Sequence, residues 1–178
     1  PACAMVMLSE RARAAIDATR STSFAADLKK WLQIMETYES GGHAYHATLP
    51  TDALLRLRDV MQETQAYGFE RVRQEQLELG RQVRALLERR GIRSVAAAGF
   101  QAPGVVVSYT DDPGIQNGSK FLALGLQTAA GVPLQCDEPA GFSTFRIGLF
   151  GLDKLHRPER CVAQLAEALD RIGITEPV

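Results

Sequence analysis

Apolar residues recur with a helical period over residues 69–90, and this is the clearest pattern in the chain. The apolar stripe consists of Phe69, Val72, Leu79, Val83, Leu86 and Leu87. Most of the other positions are Glu or Arg, and Gly91 follows where a helix commonly ends on a left-handed residue. The pattern predicts a long amphipathic helix whose charged side faces solvent.

Shorter elements precede this helix. Ser9 can accept a hydrogen bond from an N–H of the first helical turn, which predicts a helix from there to Ala18. Residues 31–35 form a short apolar segment, and residues 50–52 start another helix that runs toward Ala66.

The chain opens with the apolar run Ala4–Leu8, which predicts a buried strand. The basic lead and cleavage motif of a signal peptide are not found there. Because this strand would begin directly after Pro1, we expect the chain to start inside a larger fold, with further residues of that fold before it.

The pattern changes from helical to mixed after Gly91. β-Branched and aromatic residues at 105–110 predict a strand, closed by a turn at 111–114. Residues 118–130 are expected to form a helix that ends at Gly131.

Two more strands and a helix are predicted near the end of the chain. Residues 132–136 and 144–150 are the strands, and Arg157-Pro158 opens the helix. The inner side of that helix carries Cys161, Val162, Leu165, Leu169 and Ile172. This order of elements indicates a compact α+β unit, and we place its boundary with the preceding residues near Tyr67-Gly68.

Composition excludes several classes of protein. The 178 residues are 46% hydrophobic and carry a formal net charge of -1, so they can form a core but provide no basic field for nucleic acid or an anionic membrane. Cys3, Cys136 and Cys161 are too few and too scattered for a disulfide framework or a CxxC metal site. A reducing, cytoplasmic setting fits this cysteine usage.

Arg146 is the first candidate for chemistry. On a strand it faces away from Phe145 and Ile147, beside the small residues Thr144 and Gly148. A guanidinium with open space around it can bind a carboxylate through two parallel hydrogen bonds. The alternative is an ion pair with an internal acid such as Asp137 or Glu138, the commoner arrangement on half-exposed strands.

The loop ESGGHAYHATLP at residues 39–50 is the second candidate. Tyr45, His46 and Thr48 could present two hydroxyls and an imidazole to an anion such as phosphate. The alternative is a glycine turn with a partly buried Tyr and a capping Thr. A zinc site on His43 and His46 would lack a third ligand at a recognisable spacing.

Two motifs together carry a family resemblance. AYHATLP at residues 44–50, followed by a leucine-rich helix, and FRIGLFG at residues 145–151, followed by a terminal helix, resemble the C-terminal half of class V, fold-type I, pyridoxal-phosphate (PLP) aminotransferases. The resemblance is greatest to the alanine-glyoxylate and serine-pyruvate branch. It implies an α/β fold with an α+β small domain, in which an antiparallel sheet packs with helices. Residues 1–67 would be a remnant of the large cofactor-binding domain, including the phosphate-contact loop, and residues 68–178 the C-terminal small domain.

The resemblance also implies roles for individual residues. Arg146 matches the arginine that holds the α-carboxylate of the amino-acid or keto-acid substrate. Tyr45 and Thr48 match positions that reach across a homodimer to the cofactor phosphate of the partner subunit. His46 matches a histidine of the same loop for which we specify no role.

The family's Schiff-base lysine, and the aspartate that pairs with the pyridinium nitrogen, would lie upstream of Pro1. Lys29, Lys30, Lys120 and Lys154 occupy none of the matching positions, so no catalytic residue is expected in this chain. By itself it would be inactive and would need the N-terminal half of the enzyme. It would be a proteolytic remnant, one of two assembling polypeptides or a cloned domain.

The parent enzyme would move an amino group between a small amino acid and pyruvate or glyoxylate. The alternatives are another class V enzyme, such as a 2-aminoethylphosphonate or pyridoxamine-pyruvate transaminase, a lyase or a desulfurase. A non-catalytic dimerisation module and a domain that binds acids through Arg146 alone are hypotheses from other classes.

Overall fold

The computed structural model describes residues 4–176 and divides the chain into two units. The first unit extends to Gln62 and the second begins at Glu63, a few residues before the predicted boundary at Tyr67-Gly68. Among the helices of residues 4–176, none is long and apolar enough to cross a membrane.

The first unit is built from helices. They are α1 (Glu10–Ala18), α2 (Leu28–Glu39) and most of α3 (Thr51–Tyr67), which continues into the second unit. Ser9 caps α1 by accepting the N–H of Ala12 at 3.2 Å, as predicted, and Asp27 caps α2 in the same way. The predicted helix start at residues 50–52 is also confirmed.

The predicted strand at Ala4–Leu8 is wrong. Residues 4–9 belong to no helix or strand, and the side chains of Met5, Val6 and Met7 are exposed. A strand needs a neighbour to satisfy its N–H and C=O groups, and the described residues of the first unit contain no strand that could pair with this segment.

The second unit combines helices with a small sheet. Its elements are α4 (Phe69–Arg89), β1 (Val105–Tyr109), α5 (Pro113–Gln116), α6 (Ser119–Leu122), β2 (Ala129–Ala130), β3 (Thr144–Gly148), α7 (Leu152–Leu155) and α8 (Pro158–Arg171). The long helix, two of the strands and the final helix are where the sequence predicts them. Gly91 has φ +75°, the left-handed conformation expected after α4.

The three strands form one antiparallel sheet in the order β1-β3-β2, so that β3 is paired on both sides. Val107 of β1 and Ala129 of β2 are the cross-strand neighbours of Arg146. Phe145 and Ile147 of β3 are buried in the core against apolar residues of α4 and α8. The sheet therefore has a covered face and, around Arg146, a more open one.

The segment between α5 and β3 differs from the prediction. Instead of a helix over residues 118–130 there is one short helix, α6, because Gly118 and Gly125 both have φ +78° and turn the backbone. The strand predicted at residues 132–136 lies earlier, at Ala129–Ala130. Pro133 provides no N–H for a strand ladder. The N–H groups of residues 134–136 bond instead to the carboxylate of Glu138.

Arg84 is a buried charge in the middle of α4, with only 8% of its surface exposed. Its Nη2 donates to the carbonyls of Ala102 at 2.6 Å and Val105 at 3.1 Å, and Nη1 lies 3.4 Å from the carbonyl of Gly80. Burial lowers the pKa of the Arg84 guanidinium from its ordinary value. Arg84 thereby holds residues 102–105, which lead into β1, against α4.

We expect Arg84→Ala to lower the free energy of unfolding by about 3 kcal/mol, because it removes the hydrogen bonds to the Ala102 and Val105 carbonyls and opens a cavity where the buried side chain lies. Arg81→Ala is the matched control on the same helix, since Arg81 is exposed and bonds to Glu78 three residues away. It should leave stability nearly unchanged. Urea unfolding of the three proteins measures the difference, and equal midpoints for the two variants would contradict this role.

Candidate functional site

Arg146 lies on the central strand with its side chain on the more open face of the sheet. The alternation of β3 directs it away from the buried Phe145 and Ile147, as the sequence predicts. Its guanidinium Nε donates to the carbonyl oxygen of Ala130 at 2.8 Å. The neighbouring strand therefore anchors the guanidinium through its backbone.

The alternative ion pair with Asp137 or Glu138 is not formed among residues 4–176. The Glu138 carboxylate accepts its own N–H and those of residues 134–136, and these bonds hold its pKa below the ordinary value. The Glu138 carboxylate therefore bonds to the backbone of its own loop. Within the described part of the chain, no carboxylate neutralises Arg146, whose Nη groups remain available to an anion.

The loop of residues 40–50 is held by its histidine. The His46 ring lies 4.2 Å from the ring of Phe24 and 5.2 Å from that of Trp31, between ring centroids. Its Nε2 is 3.3 Å from the carbonyl oxygen of Phe24. His43 contacts a different ring, that of Tyr38. The described residues include no group of three or more His, Cys, Asp or Glu side chains that could hold a metal ion.

Two hydroxyls lie side by side on the exposed part of this loop. The Tyr45 hydroxyl is 3.2 Å from Oγ1 of Thr48, and 73% of the Tyr45 surface is exposed. Both hydroxyls can turn their hydrogens toward one anion, since each is donor and acceptor. The structure brings Tyr45 and Thr48 together in the first unit, whereas Arg146 belongs to the second.

The second unit also has a groove that the sequence does not predict. It is a groove of about 830 Å³, lined among others by Arg93, Tyr109 and Phe142. The Arg93 guanidinium lies 4.6 Å from the centre of the Tyr109 ring, and the Phe142 ring meets the Tyr109 ring edge-on. Arg93 and Phe142 therefore both pack on Tyr109, and we assign the groove no ligand.

Known proteins resemble this chain in structure but not detectably in sequence. No protein-family model matches the sequence, and no curated protein matches it significantly. Solved structures that do match include alanine-glyoxylate aminotransferase from Nostoc sp., with TM-score 0.71 and 20% identity over 93% of this chain and 42% of that one. Ureidoglycine-glyoxylate aminotransferase from Bacillus subtilis gives TM-score 0.66 and 23% identity over 93% and 43%.

The chain therefore has the fold of the C-terminal part of PLP-dependent transferases, and this confirms the predicted fold class. Both structures carry the name of a glyoxylate aminotransferase, and at 20% and 23% identity they confirm the predicted resemblance to aminotransferases at the level of the fold. The chain spans less than half the length of either structure.

We expect His46→Ala to destabilise the first unit by about 1 kcal/mol, because it removes ring contacts with Phe24 and Trp31. The double variant Tyr45→Phe with Thr48→Val should keep the parent stability, since the hydroxyls of Tyr45 and Thr48 bond only to each other in the described structure. Unfolding followed by Trp31 fluorescence measures both. A larger loss in the double variant than in His46→Ala would show that the hydroxyls serve the fold.

Proposed function

We propose that this chain is the C-terminal portion of a PLP-dependent aminotransferase that moves an amino group between a small amino acid and a 2-oxo acid such as pyruvate or glyoxylate. One observation carries the proposal. In a chain with the fold of the C-terminal part of PLP-dependent transferases, Arg146 stands on the central strand with no carboxylate partner among the described residues.

Arg146 binds the substrate carboxylate in this proposal. Both the amino acid and the 2-oxo acid carry that group, so one arginine serves both halves of the exchange. The donors of a guanidinium match the two oxygens of a carboxylate. The cross-strand neighbours of Arg146, Val107 and Ala129, are small and apolar. These neighbours suit substrates with short side chains.

Tyr45 and Thr48 contact the cofactor phosphate in this proposal, in the active site of a partner subunit. The residues fit such a group, because two adjacent hydroxyls on an exposed loop can both donate to phosphate oxygens. The cofactor supplies an electron sink for bond changes at the substrate Cα. A homodimer then follows from the function, since each loop serves the neighbouring site.

The lysine that carries the cofactor comes from the N-terminal half of the enzyme. The ammonium groups of Lys29, Lys120 and Lys154 are each engaged with an oxygen nearby, and Lys30 is exposed. None has the desolvated surroundings that activate a lysine amine. We expect the chain alone to be inactive, and its cysteine usage suits a cytoplasmic enzyme.

The first test is the intact denatured mass of the protein from its natural source, after incubation with pyridoxal 5'-phosphate and borohydride reduction. Reduction fixes a lysine-cofactor imine as a stable adduct. We expect a polypeptide other than the bare 19.4 kDa chain to carry the phosphopyridoxyl mass. A single species near 19.4 kDa without adduct would contradict the aminotransferase proposal and favour a non-catalytic module.

The second test replaces Arg146 by Ala in the full-length enzyme. Loss of a charge-assisted carboxylate contact should raise KM for the amino donor about tenfold or more. Arg160→Ala is the control, because Arg160 is an exposed arginine of the same unit on α8. An unchanged KM across several donors would remove Arg146 from the substrate site. Profiling the same donors, a phosphonate included, separates this function from the other class V reactions.

A further inference from the structure

The direction of the Arg146 guanidinium is set by the protein backbone. A guanidinium has two edges that can each receive a carboxylate, one formed by Nε and an Nη, the other by the two Nη groups. The Nε–H of Arg146 already donates to the Ala130 carbonyl at 2.8 Å. The edge that includes Nε is therefore taken, and the pair of Nη groups is the one left for a ligand.

The position of the Ala130 carbonyl depends in turn on a very short strand. β2 contains only Ala129 and Ala130, which pair with Arg146 and Phe145 of β3. The N–H of the next residue, Gly131, donates to the carbonyl of Thr144 at 2.8 Å and continues this pairing. These few contacts hold the acceptor that orients Arg146.

Gly131 is needed for this pairing because of space. A Cβ on Gly131 would lie 1.8 Å from Oγ1 and 2.4 Å from the carbonyl oxygen of Thr144. Thr144 is buried and belongs to the central strand, so it has little freedom to move. Any side chain at position 131 must push β2 away from β3, and the Ala130 carbonyl moves with it.

We propose that Gly131 is a positioning residue for Arg146: it lets β2 approach β3 closely enough for the Ala130 carbonyl to engage Nε, so that a carboxylate is received end-on by Nη1 and Nη2. The inference rests on the carboxylate role proposed above for Arg146. The contact between Nε and Ala130 can nevertheless be tested without any ligand.

The experiment is NMR spectroscopy of the 178-residue chain with 15N-labelled arginine, in which the Arg146 signals are identified by their loss in Arg146→Lys. Without ligand, the Hε of Arg146 should exchange with water more slowly than that of the exposed Arg160. With added pyruvate, the Nη signals of Arg146 should shift while Nε stays nearly unmoved. Gly131→Ala should abolish the Hε protection and weaken pyruvate binding about tenfold.

Gly141→Ala is the control in the same connection between β2 and β3. Gly141 has φ +84° and open space within 4 Å of the position that a Cβ would take, so Ala there strains the loop without meeting Thr144. It should keep both the Hε protection and the pyruvate affinity. Equal losses in the two variants would mean that Gly131 acts only through general stability, and would overturn the proposal.

Two results on the parent chain keep the proposal falsifiable even if Gly131→Ala does not fold. An unprotected Arg146 Hε would overturn the backbone contact, and a pyruvate-induced shift confined to Nε would overturn end-on binding. A protected Hε that is lost in Gly131→Ala, with no pyruvate response at all, would support the positioning contact. The missing pyruvate response in that result would contradict the substrate role of Arg146.

Discussion

The second unit depends on the pairing of β3 along both of its edges. β3 hydrogen-bonds to β1 on one side and β2 on the other, and its buried residues Phe145 and Ile147 join the helices in one core. Because side chains alternate on a strand, burying these two residues fixes the opposite direction for Arg146. The same packing that stabilises the unit thus determines where its candidate ligand-binding cation points.

Local patterns predicted those elements whose form is decided by their own residues. The period of α4, the cap at Ser9 and the β-branched run of β1 each carry their cause in the sequence. Within residues 118–136, Gly118, Gly125 and the Glu138 carboxylate shape the backbone locally, whereas the position of β2 is decided by β3, which is distant in sequence. β2 lies at Ala129–Ala130 because Thr144 and its neighbours are there to pair with it, and apolarity alone pointed to residues 132–136 instead.

The candidate site was predictable to a similar extent. Strand alternation indicated the direction of Arg146, and the spacing of Tyr45 and Thr48 placed two hydroxyls on one loop. The acceptor that orients Arg146 is a backbone carbonyl, which every residue type possesses, so no sequence signal marks it. The rings that hold His46 come from residues well separated from it along the chain, and only the fold brings them together.

The buried guanidinium of Arg84 divides the connection between α4 and β1 into two parts of different character. Residues 102–105 are fixed, since Arg84 binds two of their carbonyls and Gln76 binds that of Pro103. The stretch around Gly99 and Phe100 is exposed and has open space beside it. An inserted peptide or a spectroscopic label would therefore be tolerated at Gly99-Phe100, whereas one residue added after Ala102 would shift β1 out of register with β3.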